Sequence, residues 1–281
     1  MNVIRTSNSR VVALAAALAA ACTGHASAAT PVGNAEAYDL SIHINILGIT
    51  QFDRVAPTSA SIVDATESIS DSQSLASIID ADPLNLITLS TGTVTSEAQY
   101  VVGTQSAIAA RATVEDLELQ ALGLAQLDIL SLTGGTISSQ VALAGACPEP
   151  PAQMTDLLDD FVFFSGFDQG NLGGGGDDGE GNGGDFGGLP PTGAELIDVQ
   201  LSVLGIDVPA LPLDPEPNTA IDLDVLGIAG ATLVLNEQTR SGDGVHSLAV
   251  GSNALHLALN VAGLVTADVI VAHSAVSLEC P

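Results

Sequence analysis

Apolar and polar positions alternate along most of this chain with period two, the pattern of strands that bury one face. From Ala37 to Ile49, Leu40, Ile42, Ile44 and Ile46 fall on one side, and Asp39, Ser41, His43 and Asn45 on the other. Residues 55–85 are rich in Ser, Asp, Thr and Ala and carry no clear period. Strand character returns from Leu86 to Val102. From Ala107 to Gln120, Val114, Leu117 and Leu119 are apolar against Glu115, Asp116 and Glu118. Leu127 to Ala146 reads as two strands around a hairpin-like turn at Thr133-Gly134-Gly135-Thr136. That turn weakly echoes Ser90-Thr91-Gly92-Thr93, which we take as recurrent hairpin chemistry, because no fixed repeat period follows.

After residue 194 the alternation resumes. Ile197, Val199, Leu201 and Val203 oppose Asp198, Gln200 and Ser202. Pro209 to Pro217 is a proline-punctuated connection, and Ala231 to Asn236 a strand. Ser241-Gly242-Asp243-Gly244 predicts a tight turn. Leu255, Leu257, Leu259 and Val261 alternate with His256, Ala258 and Asn260, and Thr266 to Cys280 is a closing strand. Many short strands with Gly, Pro and Asp turns predict an all-β antiparallel sandwich or related barrel.

Residues 148–194 differ in kind. Pro148-Glu149-Pro150-Pro151 breaks the sheet pattern. Met154 to Phe167 holds four of the six Phe, with Leu157, Leu158, Phe161 and Phe164 near helical spacing. We read this Phe cluster as docking on its own domain, with a partner-contact patch as the alternative. Gly166 to Gly193 then has 13 glycines in 28 residues, too little apolar area to offset ordering entropy, so a flexible Gly/Asp-rich insert is expected. The domain reading is a signal at 1–28, an N-terminal β half at 29–147, a linker at 148–194 and a C-terminal β half at 195–281.

The first residues read as a secretory signal. Arg5 and Arg10 precede an apolar run from Val11 to Cys22, too short for a membrane span, and Ala26-Ser27-Ala28 supplies the cleavage pattern. Cys22 would leave with the signal; the residues before it fit a lipobox poorly. Cys147 and Cys280 remain, and in an oxidising compartment two cysteines imply one disulfide. A loop that long carries an upper entropic stabilisation of about 4–5 kcal/mol. No second apolar stretch is long enough to cross a bilayer, so the mature chain is expected to have no transmembrane segment.

Charge excludes more than it selects. There is no Lys, and 33 acids stand against 5 Arg, a net charge of −28. Such a body repels phosphate backbones and anionic lipid, so nucleic acid is not an expected partner. Without Trp and with only 2 Tyr, the core falls to Ala, Val, Leu and Ile, and the aromatic platforms typical of carbohydrate recognition are scarce. The roughly 250 residues left after the signal allow one large β-domain or two small ones.

Candidate chemistry is thin. Gly173 to Asp178 fits the first positions of a calcium-binding nonapeptide, making Asp177, Asp178, Glu180 and Asp185 the calcium candidates. Only one copy occurs, however, and Glu180 stands where an apolar residue belongs, so a solvated loop is the expectation. Leu189 to Gly193 spells a sortase motif, but an acidic alternating strand follows it, and we read it as chance. His43, His246, His256 and His273 lack metal-ligand spacing and are read as structural. No nucleophile elbow or phosphate loop is present, and no catalytic residue or required cofactor is assigned.

Several elements together resemble the bacterial exported family called choice-of-anchor P. They are Asn218-Thr219, Gly230 to Gln238, Asn253-Ala254-Leu255-His256-Leu257, Val269 to Ser274 and the terminal Cys280. Ala37-Tyr38-Asp39-Leu40 and Ala112 to Leu119, ending downstream at Cys147, extend the likeness over most of the chain outside the insert. The resemblance implies an exported surface or extracellular β-protein with no known catalysis. With no apolar tail after Cys280, free secretion is expected over anchoring. The resulting expectation is a secreted, non-enzymatic surface or matrix protein with surface or matrix partners. The alternatives are a secreted hydrolase whose site is scattered in sequence and a calcium-dependent binding module.

Overall fold

The alternating runs fold as β-strands throughout the computed structural model, which describes residues 29–46, 48, 50–81, 86–103, 105–122, 128–147, 192–208, 211–223, 230–261 and 265–281. In chain order these are β1 (Val32–Ile46), β2 (Thr50–Val55), β3 (Ser59–Ala65), β4 (Ile69–Leu75), β5 (Ile78–Ala81), β6 (Ile87–Thr91), β7 (Val94–Val101) and β8 (Ser106–Leu122). There follow β9 (Asp128–Gly145), β10 (Gly193–Ile197), β11 (Gln200–Val203), β12 (Ile206–Asp207), β13 (Thr219–Asp222), β14 (Ala231–Ser241), β15 (Ser247–Val261) and β16 (Val265–Glu279). Residues 55–85, where the sequence showed no period, supply β3, β4 and β5.

The strands form two antiparallel sheets, consistent with the expected sandwich. The first runs β13-β14-β15-β16-β1-β2, with β3 beside β2 on the same partner: β2 covers Ser41–Ile46 of β1 and β3 covers Gly33–Tyr38. The second runs β12-β11-β9-β8-β6-β5, with β10 on β9, β7 on β8 and β4 on β7. Chain order follows spatial order around most of the molecule, except that β4 pairs with β7 and β6 with β8, and β16 returns to pair with β1 from Val32↔Glu279 to Ile46↔Val265. Each sheet takes strands from both sides of residues 148–191.

The ring of strands does not close as a barrel. Among the described residues no backbone ladder joins β3 to β4 or β12 to β13. At the first gap side chains bridge instead. Ser61 N donates to Asp71 Oδ2 (2.9 Å), Ser59 N to Gln73 Oε1 (3.2 Å), and Arg54 Nη1 to Asp80 Oδ2 (3.1 Å). These contacts occupy edge amides that would otherwise template another strand.

The alternation changes phase once along each long row. In β1 the buried positions are Ala35 and Ala37, then Leu40, Ile42, Ile44 and Ile46; in β8 they pass from Val114 to Leu117. The switches lie in line across each sheet. Asp39, Ala272, Ala254 and Asn236 sit at one interruption of the first sheet's ladders, and Asp116 and Gly135 at one in the second. Positive φ marks many of these sites: Ala56 46°, Asp116 49°, Asp198 54°, Asn236 48° and Ala272 54°. The left-handed residue rotates the strand so that its other set of side chains faces inward.

This line corrects three expectations. Asp39 belongs to the first phase and is buried, not on the polar face. Thr133-Gly134-Gly135-Thr136 is the switch within the single strand β9 rather than a hairpin, and its echo at Gly92 is the break between β6 and β7. Ile197 is exposed, because the phase changes at Asp198 before Val199 turns inward.

The space between the sheets holds one cluster of Ala, Val, Leu and Ile with few aromatics, chiefly Tyr100 and Phe52. Tyr100 is buried, and its hydroxyl donates to Pro31 O. Gly33 is required beside it, since a Cβ there would meet the Tyr100 ring at 2.8 Å. Two polar bridges cross the apolar layer. Thr58 Oγ1 pairs with Ser96 Oγ (3.0 Å), and Ser139 Oγ with Ser274 Oγ (2.7 Å). Cys147, just past β9 in one sheet, and Cys280, just past β16 in the other, form a disulfide with Cα atoms 5.3 Å apart. Among the described residues no helix is long and apolar enough to cross a membrane.

Candidate functional site

The outer face of the first sheet gathers most of the polar chemistry. Strand pairing sets Tyr38, His273, Asn253 and Glu237 in one straight row across β1, β16, β15 and β14. The phase switch creates this row: from it to the strand ends nearer the disulfide, one parity faces out, and beyond it the other.

The row is bonded side chain to side chain. The Tyr38 and His273 rings stack with centroids 4.4 Å apart. His273 Nδ1 donates to Asn253 Oδ1 at 2.6 Å, and Asn253 Nδ2 donates to Glu237 Oε2 at 2.7 Å. The same Glu237 oxygen accepts from His256 Nδ1 at 2.8 Å, while His256 Nε2 lies 3.2 Å from Asp268 Oδ1. One register step away His43, directly opposite Asp268, bonds through Nδ1 to Asp53 Oδ1 at 2.8 Å.

Burial sets the protonation of this row. Desolvation pulls the His273 imidazole down to about 4 against the opposing pull of Glu237, so the ring is neutral near pH 7. Desolvation, then the Glu36 and Asp268 charges, pushes the Tyr38 phenol up to about 12. With Nδ1–H committed to Asn253, the His273 Nε2 carries a lone pair.

A trough of about 350 Å³ borders the row on its disulfide side. Its floor is made mostly of small side chains in two further cross-strand rows, with Glu36 and Asn34 among them. Ser61, Glu36, Ala275, Gly251 and Thr239 form the nearer one, and Asn34, Ser277, Ala249 and Ser241 the farther. A Cβ on Gly251 would meet Thr239 Oγ1 at 2.9 Å, so the floor is tightly fitted there. A second cleft of about 580 Å³ lies by β11 and β12, where Ser131, Thr133, Gln200 and Asp207 face Leu211 and Leu213.

The histidines read as structural do have partners: His256 and His273 in the row, His43 with Asp53, and His246 with Asp243 at 3.0 Å. Asp243 also accepts from the amides of Val245, His246 and Ser247, which fixes the expected turn after β14 and holds its carboxyl well below the usual range. The calcium candidates Asp177, Asp178, Glu180 and Asp185, the Phe cluster and the signal lie outside the described residues. Among the described residues, no three His, Cys, Asp or Glu side chains are placed to hold a metal ion. Sequence reading missed the row because its members are far apart in the chain; the one signal was three polar residues, Glu237, Asn253 and His273, at hairpin spacings of 16 and 20 residues. No family model, curated protein or solved structure matches this chain.

Proposed function

We propose that this chain is an exported bacterial β-sandwich of the choice-of-anchor P type, with a structural or adhesive role at the cell surface or in the extracellular matrix. The observation that carries the reading is the Cys147–Cys280 bridge between the two sheets, a device of oxidising compartments. The acidic, lysine-free composition supports it, since such a surface stays soluble and self-repelling outside the cell. The polar row supports the non-enzymatic part. Its groups bond to one another on an open sheet face, and it brings no serine or cysteine nucleophile against His273.

Cell fractionation with thiol labelling tests the reading. The full chain is expected outside the cytoplasm, with both cysteines unreactive to alkylation until reduced. A version lacking residues 1–28 should stay inside with reactive thiols. Retention of the full chain in the cytoplasm with free thiols would overturn the proposal.

A further inference from the structure

The trough beside the polar row has the chemistry of a receptor for one kind of side chain. Its floor offers methyl and hydroxyl groups, and its central charge is Glu36, which makes no ion pair among the described residues. Its wall presents His273, which donates Nδ1–H to Asn253 and keeps Nε2 as an acceptor. Glu36 and His273 are diagonal neighbours on adjacent strands, about 7–8 Å apart at Cα. Both are acceptors, and the cradle between them calls for a compact cationic donor with a slender apolar stem.

We propose that this trough docks an extended, lysine-bearing segment of a partner protein, with a lysine ammonium held between Glu36 and His273 and its stem over Ala275 and Gly251. Charge complementarity selects the occupant: the chain is net −28, and the floor's central charge is a carboxylate. The same composition excludes this chain as its own ligand. It contains no lysine, so neither its internal segments nor those of a second copy can supply a lysine side chain. Lysine suits the site better than arginine because one carboxylate and one ring nitrogen on separate strands do not match a planar fork. The trough crosses five strands, about 19 Å at ordinary strand spacing, which is the reach of about six extended residues. The inference rests on the surface reading above, but binding is measured on purified protein and can fail independently of localisation.

The test is calorimetry and amide NMR on the purified full chain at about 150 mM salt, where diffuse attraction is screened beyond about 8 Å. The probe is a blocked six-residue peptide alternating lysine and alanine. Shifts should centre on Glu36, Gly251, His273 and Ala275. Glu36→Gln and Ala275→Leu, which fills the floor from the solvent side, should each weaken binding tenfold or more. Glu118→Gln, on the outer face of the other sheet, should change it less than twofold. Three results would each overturn the proposal: no binding; equal weakening by Glu118→Gln, which means unspecific attraction to an acidic protein; or equal binding of an arginine peptide or a free diamine.

Discussion

Asp39 is a carboxylate with no exposed surface, and its partners are the amides of Leu40 and Thr58 with the Thr58 hydroxyl. Desolvation outweighs these hydrogen bonds and raises its pKa. The folded state thus holds the proton more tightly than the unfolded chain. Its contribution to stability is complete below the ordinary carboxylate value and is lost as pH rises through the folded-state value. Asp39→Asn keeps a carbonyl acceptor without the charge. Urea midpoints measured from pH 4 to 8 should therefore fall less in this variant than in the wild type; equal slopes would refute the assignment. His273 works in the opposite sense. Its pKa is depressed to about 4, so its contribution is present above 6.5 and is lost as pH falls toward about 4. The loss is about 3 kcal/mol at most, and His273→Gln should flatten the acid limb of the same urea series.

The strands show what alternation conveys and where it stops. Leu40 to Ile46, Leu255 to Leu259 and Val265 to Val271 each keep one phase over several residues, and each lies where its period places it. The failures share one cause. A phase change in a single strand looks, in sequence, like a strand end followed by a new strand, so Thr133 to Thr136 with its two glycines resembled a turn. Asp39 looked solvent-facing because the residues after it alternate cleanly, whereas its phase is set by Ala35 and Ala37 before it. The outer row was illegible for a related reason: only the pairing register of β14, β15, β16 and β1 brings its members together. Left-handed backbone at a non-glycine residue costs about 1–2 kcal/mol, and Asp116 adopts it at an exposed position, where truncation removes little besides the approach of its side chain to Gly92. Asp116→Gly should leave the fold unchanged and raise stability by up to about 1 kcal/mol, because glycine's extra unfolded-state freedom returns part of the gain. A lowered melting temperature would show that Asp116 contributes something besides its backbone conformation.

At the scale of the whole molecule, the chain travels once around the sandwich and meets itself where β16 pairs with β1. Most neighbours are consecutive in sequence, and the closure of the two ends is the ladder of greatest sequence separation. The disulfide reinforces that closure from a different direction. The β1–β16 ladder lies within one sheet, whereas Cys147 and Cys280 join the two sheets across a sequence separation of 133, which takes in residues 148–191 and β10 to β16. Neither cysteine takes part in a strand ladder, and opening the bridge releases a large loop in the unfolded chain, so the loss should appear mainly as unfolded-state entropy. We expect Cys147→Ser, Cys280→Ser and the double variant each to lose about 2–5 kcal/mol, measured by reversible urea unfolding with little change in slope. The three losses should be nearly equal, because either single change already removes the whole cross-link. A double variant losing clearly more than either single one would show that the half-cystines also stabilise the fold by packing, since Cys147 is buried and Cys280 packs against the core cluster. A loss below about 1 kcal/mol in all three would mean that the β1–β16 ladder already holds the two ends without the bridge.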